Sequence, residues 1–240
     1  MIQRSRGKRI WAGFCIALLA LGLLVLINLI PTFRLRTAGM QALTGVHVTL
    51  WYETERQAAE KTFALAEARA AELSTLLGVT QYAPVEVFVY DSQQVMQQKK
   101  YGLIAPLLGL DWYIGDNVGT RVLLTSPANP GRAHSAEDVQ NAVLHELVHA
   151  YNAMLNPRMT YWLDNALAGW LSGQTPARSS LGGPLPSLAD TRVSGLLAPL
   201  TFERFGGYGY SYTYAAYLEK TFGWARVRAL AAGGAFENAL

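Results

Sequence analysis

The strongest constraint on the fold is an uninterrupted apolar run near the start of the chain. Ile10 to Ile30 carry no charged side chain, and Asn28 is the one strongly polar residue among them. A helix of this length spans about 30 Å, the thickness of the hydrocarbon core of a bilayer. An all-round apolar helix at this position fits a core helix of a soluble domain poorly. The run therefore predicts a transmembrane anchor over residues 10–30.

Charged residues flank this run asymmetrically. Four cations precede it and two follow it: Arg4, Arg6, Lys8 and Arg9, then Arg34 and Arg36. The positive-inside rule places residues 1–9 in the cytoplasm and the rest of the chain in the periplasm or outside the cell. A cleaved signal peptide is the alternative, but it has a shorter apolar region of about 7–15 residues and a small-residue cleavage site. The sequence after Ile30 has no such site, which favours an uncleaved anchor.

Composition excludes several function classes. The chain is 51% hydrophobic and 15% charged, too apolar for a disordered protein. Its net charge is +3, but without the four cations before the anchor it becomes −1. A nucleic-acid-binding domain needs clustered cations on its folded part, so nucleic acid is not an expected partner. Cys15 is the single cysteine and lies in the apolar run, which excludes an intrachain disulfide and a cysteine-ligated zinc site.

The remainder predicts an α+β domain over 46–240, joined to the anchor by a linker over 31–45. Alternating apolar residues predict strands at 46–52, 85–90 and 121–125. Helical periodicity and capping residues predict helices from Thr54 to Leu77, at 92–100, from an N-cap at Ser135 to a point before Pro157, and at 161–172, 210–222 and 224–232. Residues 173–195 are rich in Gly, Pro and Ser, which predicts a loop over a surface or cleft. A small mixed sheet with helices is thus followed by a helical half.

The predicted helix that follows Ser135 carries the sequence H-E-L-V-H over residues 145–149. Positions i and i+4 lie on one helix face, so His145 and His149 can bind one metal ion. Zinc favours histidine nitrogen and keeps an open position in catalytic sites. Glu146 points about 100° away, where it can reach a water at the metal and act as general base. The motif predicts Zn²⁺ as cofactor. The alternative is an accidental match in a structural domain.

This arrangement resembles the gluzincin or peptidase MA-like zinc metallopeptidases, relatives of thermolysin and the membrane alanyl aminopeptidases. The family carries W-L-x-E-G-x-A on a second helix, and Trp162, Leu163 and Ala168 match it here. The closing helices, from Tyr214 onward, also resemble the family's, so the likeness covers roughly 46–232. The resemblance implies a zincin-like domain that hydrolyses peptide bonds with a metal-activated water.

The chain departs from the family at the third zinc ligand. The family's ligand glutamate falls on Asn165, and a neutral amide is not among the usual zinc ligands. Three possibilities stay open: Asp164 is the ligand, Asn165 binds through its carbonyl oxygen, or the third ligand is lost. A carboxylate from elsewhere, such as Glu203 or Asp190, is a further alternative.

Some family members use a downstream tyrosine to stabilise the oxyanion, a role for a preorganised hydrogen-bond donor. Four tyrosines are candidates here, and Tyr210 is the preferred one; the others are Tyr208, Tyr212 and Tyr214. The family also pairs the substrate backbone with an edge strand, which the resemblance assigns to Arg121–Thr125. His47 and His134 are expected to be structural.

The sequence therefore predicts a membrane-anchored, extracytoplasmic zinc metallopeptidase that acts on a peptide or protein substrate. The alternative is a degenerate zincin-like domain that lacks catalysis and binds a protein partner at the membrane. Serine hydrolase, P-loop and Rossmann motifs are absent from the sequence.

Overall fold

A computed structural model gives the structure of residues 3–174, 185–187, 189–195 and 197–234. Within these residues the chain forms a mixed five-stranded sheet and eight helices, with helices alone after the last strand. The prediction of a mixed fold with a helical second half is confirmed at this level. Its assignment to the zincin class stays a prediction.

The strands are β1 (Gln41–Thr44), β2 (Val48–Tyr52), β3 (Val85–Tyr90), β4 (Gly115–Val118) and β5 (Arg121–Thr125). The helices are α1 (Gln3–Leu29), α2 (Arg56–Leu77), α3 (Gln93–Tyr101), α4 (Ala136–Leu155), α5 (Tyr161–Leu171), α6 (Ala198–Arg204), α7 (Gly207–Phe222) and α8 (Trp224–Ala231). Short 3₁₀ turns are formed by Ile30–Phe33, Ala105–Leu108 and Asp190–Arg192.

The sheet has the order β1-β2-β3-β5-β4. Its three central strands run parallel, and the two edge strands are antiparallel to their neighbours. Parallel neighbours require crossover connections, which α2 and α3 provide. Because the fourth strand in sequence lies outside the fifth, β4 is one of the two edges.

Successive side chains of a strand point to opposite faces, so the sheet has two cores. On one face, Val87 of β3 and Leu124 of β5 pack against α2 and α4 in an aliphatic core. On the other face, Phe88 and Tyr90 of β3 belong to a smaller, aromatic core that includes Tyr101 of α3.

Helix α4 is fixed by its ends and by its buried face. The Ser135 hydroxyl accepts a hydrogen bond from the Asp138 backbone N–H, and the Asp138 carboxylate accepts one from the Ser135 backbone N–H, as the capping pattern predicts. The helix ends at Leu155, before Pro157. Leu147 and Val148 are fully buried, so the helix cannot rotate without exposing them.

Two strands were missing from the sequence prediction. Strand β1 lies in the segment predicted as a linker, and Leu35 and Met40 of that segment are buried. This segment is therefore packed against the domain. Strand β4 has the sequence G-D-N-V, which lacks apolar alternation. Thr54 was predicted as a helix N-cap, but its hydroxyl donates to the Asp91 carboxylate and the helix begins at Arg56.

One described helix is long and apolar enough to span a membrane. The span covers Gly7–Phe33, and its most apolar 18-residue window has a mean hydropathy of 2.8. Its most apolar stretch is not buried against the rest of the protein. The predicted membrane-spanning helix is present to this extent; its orientation stays a prediction.

Candidate metal centre

Helix α4 places the two histidines of the motif side by side above a cavity of about 700 Å³. The Nε2 atoms of His145 and His149 are 3.0 Å apart. Glu146 lines the same cavity and is 7% exposed. The structure thus brings the three predicted residues together at one buried point.

His149 is held by a carboxylate from the neighbouring helix. Its Nδ1 atom lies 2.8 Å from Asp164 Oδ1. The same oxygen accepts a hydrogen bond of 2.8 Å from the Asn152 side-chain amide. Asp164 therefore faces the outer nitrogen of His149, and the position supports an orienting role rather than the ligand role considered from the sequence.

His145 is held by a neutral partner. Its Nδ1 atom lies 3.0 Å from Gln174 Oε1. An amide oxygen only accepts, so the Nδ1 atom carries the proton and the Nε2 atom presents a lone pair. The predicted loop 173–195 begins here, but 175–184 and Leu188 lie outside the described residues.

The pKa values of the two histidines shift in opposite directions. Burial, helped by the charge of His149, lowers the pKa of His145 to about 3. Burial also opposes the charge of His149, but the Asp164 carboxylate and its hydrogen bond outweigh it and raise the pKa to about 9. At neutral pH His149 is therefore an imidazolium, and its Nε2–H donates to the lone pair of His145.

The distance between the two Nε2 atoms is suited to a bound metal ion. Two nitrogens bound to one tetrahedral zinc, with bonds of about 2.0–2.1 Å, lie about 3.3 Å apart. The observed separation of 3.0 Å is close to that value. Both outer nitrogens are also bound to an oxygen, which is the second-shell arrangement of metal-ligating histidines.

Asn165 stands where the resembled family has its third ligand. Asn165 is 3% exposed and lines the cavity. Its Nδ2 atom donates to the Tyr161 carbonyl oxygen at 2.8 Å, which leaves its Oδ1 atom as the candidate metal donor. Within the described ranges, no group of three or more His, Cys, Asp or Glu side chains is arranged to hold a metal ion. A donor set of two imidazoles and the Asn165 amide oxygen therefore stays a prediction.

Glu146 lies against the edge strand. A Cβ atom added to Gly115 would lie 2.7 Å from Glu146 Oε1, so glycine permits this close approach. The Asn117 side chain donates to the Glu146 carbonyl oxygen at 3.0 Å. Burial raises the pKa of the Glu146 carboxyl to about 8, which poises it for proton transfer near neutral pH.

The edge of the sheet at the cavity is β4, not the predicted strand β5. β5 lies between β3 and β4, so its two sides are both paired. Gly115, Asp116 and Asn117 of β4 line the cavity, and Asp116 forms an ion pair of 2.9 Å with Lys100. Sequence reasoning missed these residues because β4 lacks the pattern of a strand.

Two of the four candidate tyrosines lie at the cavity, and the preferred Tyr210 is not one of them. Tyr208 and Tyr212 line the cavity, whereas Tyr210 is not among the described residues that do. The rings of Tyr212 and His145 meet edge to face, with centroids 6.1 Å apart. Residues 208 and 212 are four apart on α7 and share a face, a spacing that would have identified the pair.

The remaining candidates occupy different places. Glu203 lines the cavity, whereas the Asp190 carboxylate accepts hydrogen bonds from Ser187. His134 also lines the cavity, where its Nε2 atom bonds to the Trp112 carbonyl oxygen at 2.8 Å.

No protein-family model, curated protein or solved structure matches this chain.

Proposed function

We propose that this chain is a membrane-anchored, extracytoplasmic zinc-dependent peptidase of the gluzincin type. The observation that carries the proposal is the pair of facing Nε2 atoms at 3.0 Å, with each Nδ1 atom bound to an oxygen. The two Nε2 atoms face each other, so a metal ion can bind between them in place of the proton.

Three described residues that line the cavity have proposed roles in peptide hydrolysis: Glu146, Tyr208 and Tyr212. Zinc, when bound, supplies Lewis acidity that polarises a carbonyl oxygen and acidifies water. Glu146 accepts a proton from the attacking water at its carboxylate and passes it to the leaving amine. The hydroxyls of Tyr208 and Tyr212 have pKa values raised by burial, so they stay protonated and can donate to a developing oxyanion.

We propose that the substrate backbone pairs with edge strand β4. An extended peptide can add to an exposed sheet edge through main-chain hydrogen bonds. Glu146 approaches this strand at Gly115, so a peptide paired there would pass beside the general base.

The first test is the metal content of the full chain, purified in detergent without chelator, beside His149→Ala. We expect about one zinc per chain in the parent protein and a loss of zinc in the variant. A peptide library is then incubated with both proteins and with Glu146→Gln. Absence of zinc from the parent, even after zinc is added, would reject the proposal.

The second candidate is a non-catalytic zincin-like domain that binds a protein partner at the membrane. Asn165 favours it, because a neutral amide stands where the resembled family has a glutamate. This candidate predicts no peptide cleavage even when zinc is bound. Turnover that Glu146→Gln abolishes would exclude it.

A further inference from the structure

Several large apolar side chains near the end of α1 are exposed and do not belong to the core. The segment after α3 has three exposed apolar residues, and the backbone of two of them is hydrogen-bonded to Asn28 near the end of α1. We call the following residues the apolar rim: Ile30, Phe33, Leu103, Ile104 and Leu107. Leu107 is 84% exposed and Phe33 is 72% exposed. Leu103 and Ile104 each expose about half of their surface.

Asn28 joins the two parts of the rim. Its backbone oxygen accepts a hydrogen bond from the Leu103 N–H at 3.0 Å, and its Oδ1 atom accepts one from the Ile104 N–H at 2.9 Å. Gly102 has a φ of +79°, and a Cβ atom there would lie 2.3 Å from the Asn28 oxygen. The strongly polar residue of the apolar run is thus a fixed joint between helix and domain.

The joint sets the depth of the rim relative to the helix. The apolar span ends at Phe33, five residues beyond Asn28. At about 1.5 Å per residue, Asn28 lies about 8 Å before the end of that span. The backbone of Leu103 and Ile104 is therefore level with the last turns of the apolar span, where a bilayer would meet its headgroups.

The backbone of this segment is suited to a medium with little water. Unpaired N–H groups are costly in hydrocarbon, so lipid-facing backbone must pair its donors within the protein. The four N–H groups from Gly102 to Ala105 are all paired: to the Gln98 oxygen, the two oxygens of Asn28 and the Gly102 oxygen. Pro106 has no N–H, and the Leu107 N–H bonds to the Ile104 oxygen at 2.9 Å.

We infer that the apolar rim inserts into the bilayer interface, so that the membrane holds the domain at this segment as well as at α1. The occupant is lipid because the rim continues the apolar surface of the spanning helix. The exposed Arg34, directly after Phe33, is placed to reach headgroups. The inference rests on the proposed membrane anchoring and is independent of zinc and catalysis.

A fluorescent depth measurement on the full chain tests the inference. The environment-sensitive dye NBD is attached to one cysteine at a time, and the protein is reconstituted in phosphatidylcholine vesicles with or without doxyl-labelled lipid. The native Cys15 reports on the anchor. Leu107→Cys in a Cys15→Ser background reports on the rim, and its exposure means that the change removes no core packing.

Tyr82→Cys in the same background is the matched control. Tyr82 is 95% exposed and precedes β3, whereas the other end of β3 carries Tyr90, whose hydroxyl donates to the Leu35 carbonyl near the anchor. We expect doxyl lipid to quench most of the emission at positions 15 and 107, with a blue shift at 107. Position 82 should behave as in water.

Each other outcome overturns a distinct statement. Quenching at 15 without quenching at 107 would reject the rim and keep the anchor. A blue shift at 107 without lipid quenching would show that protein, a second copy or a partner, covers the rim, and would also reject the inference. Absence of quenching at 15 would reject the membrane anchoring and the inference together. Peptidase activity enters none of these readouts.

Discussion

His145 and His149 occupy equivalent positions on α4, yet their outer nitrogens meet different partners. His149 faces a carboxylate from α5, while His145 faces a neutral amide. The carboxylate makes one ring a cation and the amide leaves the other ring neutral. Two identical residues at a fixed spacing thus become a proton donor and a proton acceptor, and the difference is set by residues outside the motif.

His145 and His149 are proposed to bind the metal, whereas Glu146 is proposed to transfer the proton. Glu146→Gln tests this division of roles most strongly. We expect the rate of peptide cleavage to fall by about 10²–10⁴-fold, because the general base is lost, while zinc content stays unchanged. Glu137→Gln, an exposed glutamate on the same helix, is the matched control. An unaltered cleavage rate in Glu146→Gln would contradict the assigned role.

The difference between the partners predicts unequal effects on zinc affinity. Asp164→Asn keeps the shape of the side chain and removes its charge, so we expect zinc affinity to fall by about 10–100-fold, the usual cost of losing a second-shell partner. Gln174→Ala should have a smaller effect. Competition with a chromophoric chelator measures both. If Gln174→Ala costs as much as Asp164→Asn, the charge of Asp164 has no special effect.

The unequal pKa values predict how zinc affinity depends on pH. His149 is protonated below about 9 and His145 only below about 3, so zinc must displace one proton from the pair at neutral pH. Lowering the pH therefore weakens binding, by about tenfold per unit for one proton displaced. Titrations in the Glu146→Gln background isolate this proton, because that variant removes the carboxyl whose pKa is raised to about 8.

Adding Asp164→Asn to that background sharpens the same test. Without the carboxylate, burial keeps the pKa of His149 low, and the slope above neutral pH should flatten. An equal slope with and without Asp164 would mean that the carboxylate does not set the proton on His149.

The smallest expected effect concerns the third ligand. Asn165→Glu places a carboxylate where an amide stands, and we expect zinc affinity to rise about fivefold, which is about 1 kcal/mol. The gain is modest because a buried charge also has a desolvation cost. Asn165→Gln has the same length without the charge and is the control. Equal affinities in the two variants would remove position 165 from the donor set.

The sequence predicted what depends on local pattern. Strands β3 and β5 lie at the predicted residues, and α4 begins after the predicted cap. The pair His145 and His149 follows from helix geometry alone, because four residues make about one turn. These features need no knowledge of what packs against them.

What the sequence left open depends on contacts between distant segments. The sequence offered Asp164 as a ligand, and its contact with His149 appears only when α5 packs on α4. Strand β4 forms on a polar sequence because β5 supplies its hydrogen-bond partners. The sequence favoured Tyr210, whereas the contact of Tyr212 with His145 depends on how α7 packs beside α4.

Tyr101 connects the proposed membrane anchor to the cavity. Its carbonyl oxygen accepts a hydrogen bond from the Asn28 side chain, and the residue also lines the cavity. This contact fixes the position of the cavity relative to the end of α1. For a chain held in a bilayer, encounters become a two-dimensional search. If the proposed peptidase activity holds, substrates embedded in the same membrane would gain effective concentration over dissolved peptides, and cleavage would be confined to a thin layer at the lipid surface.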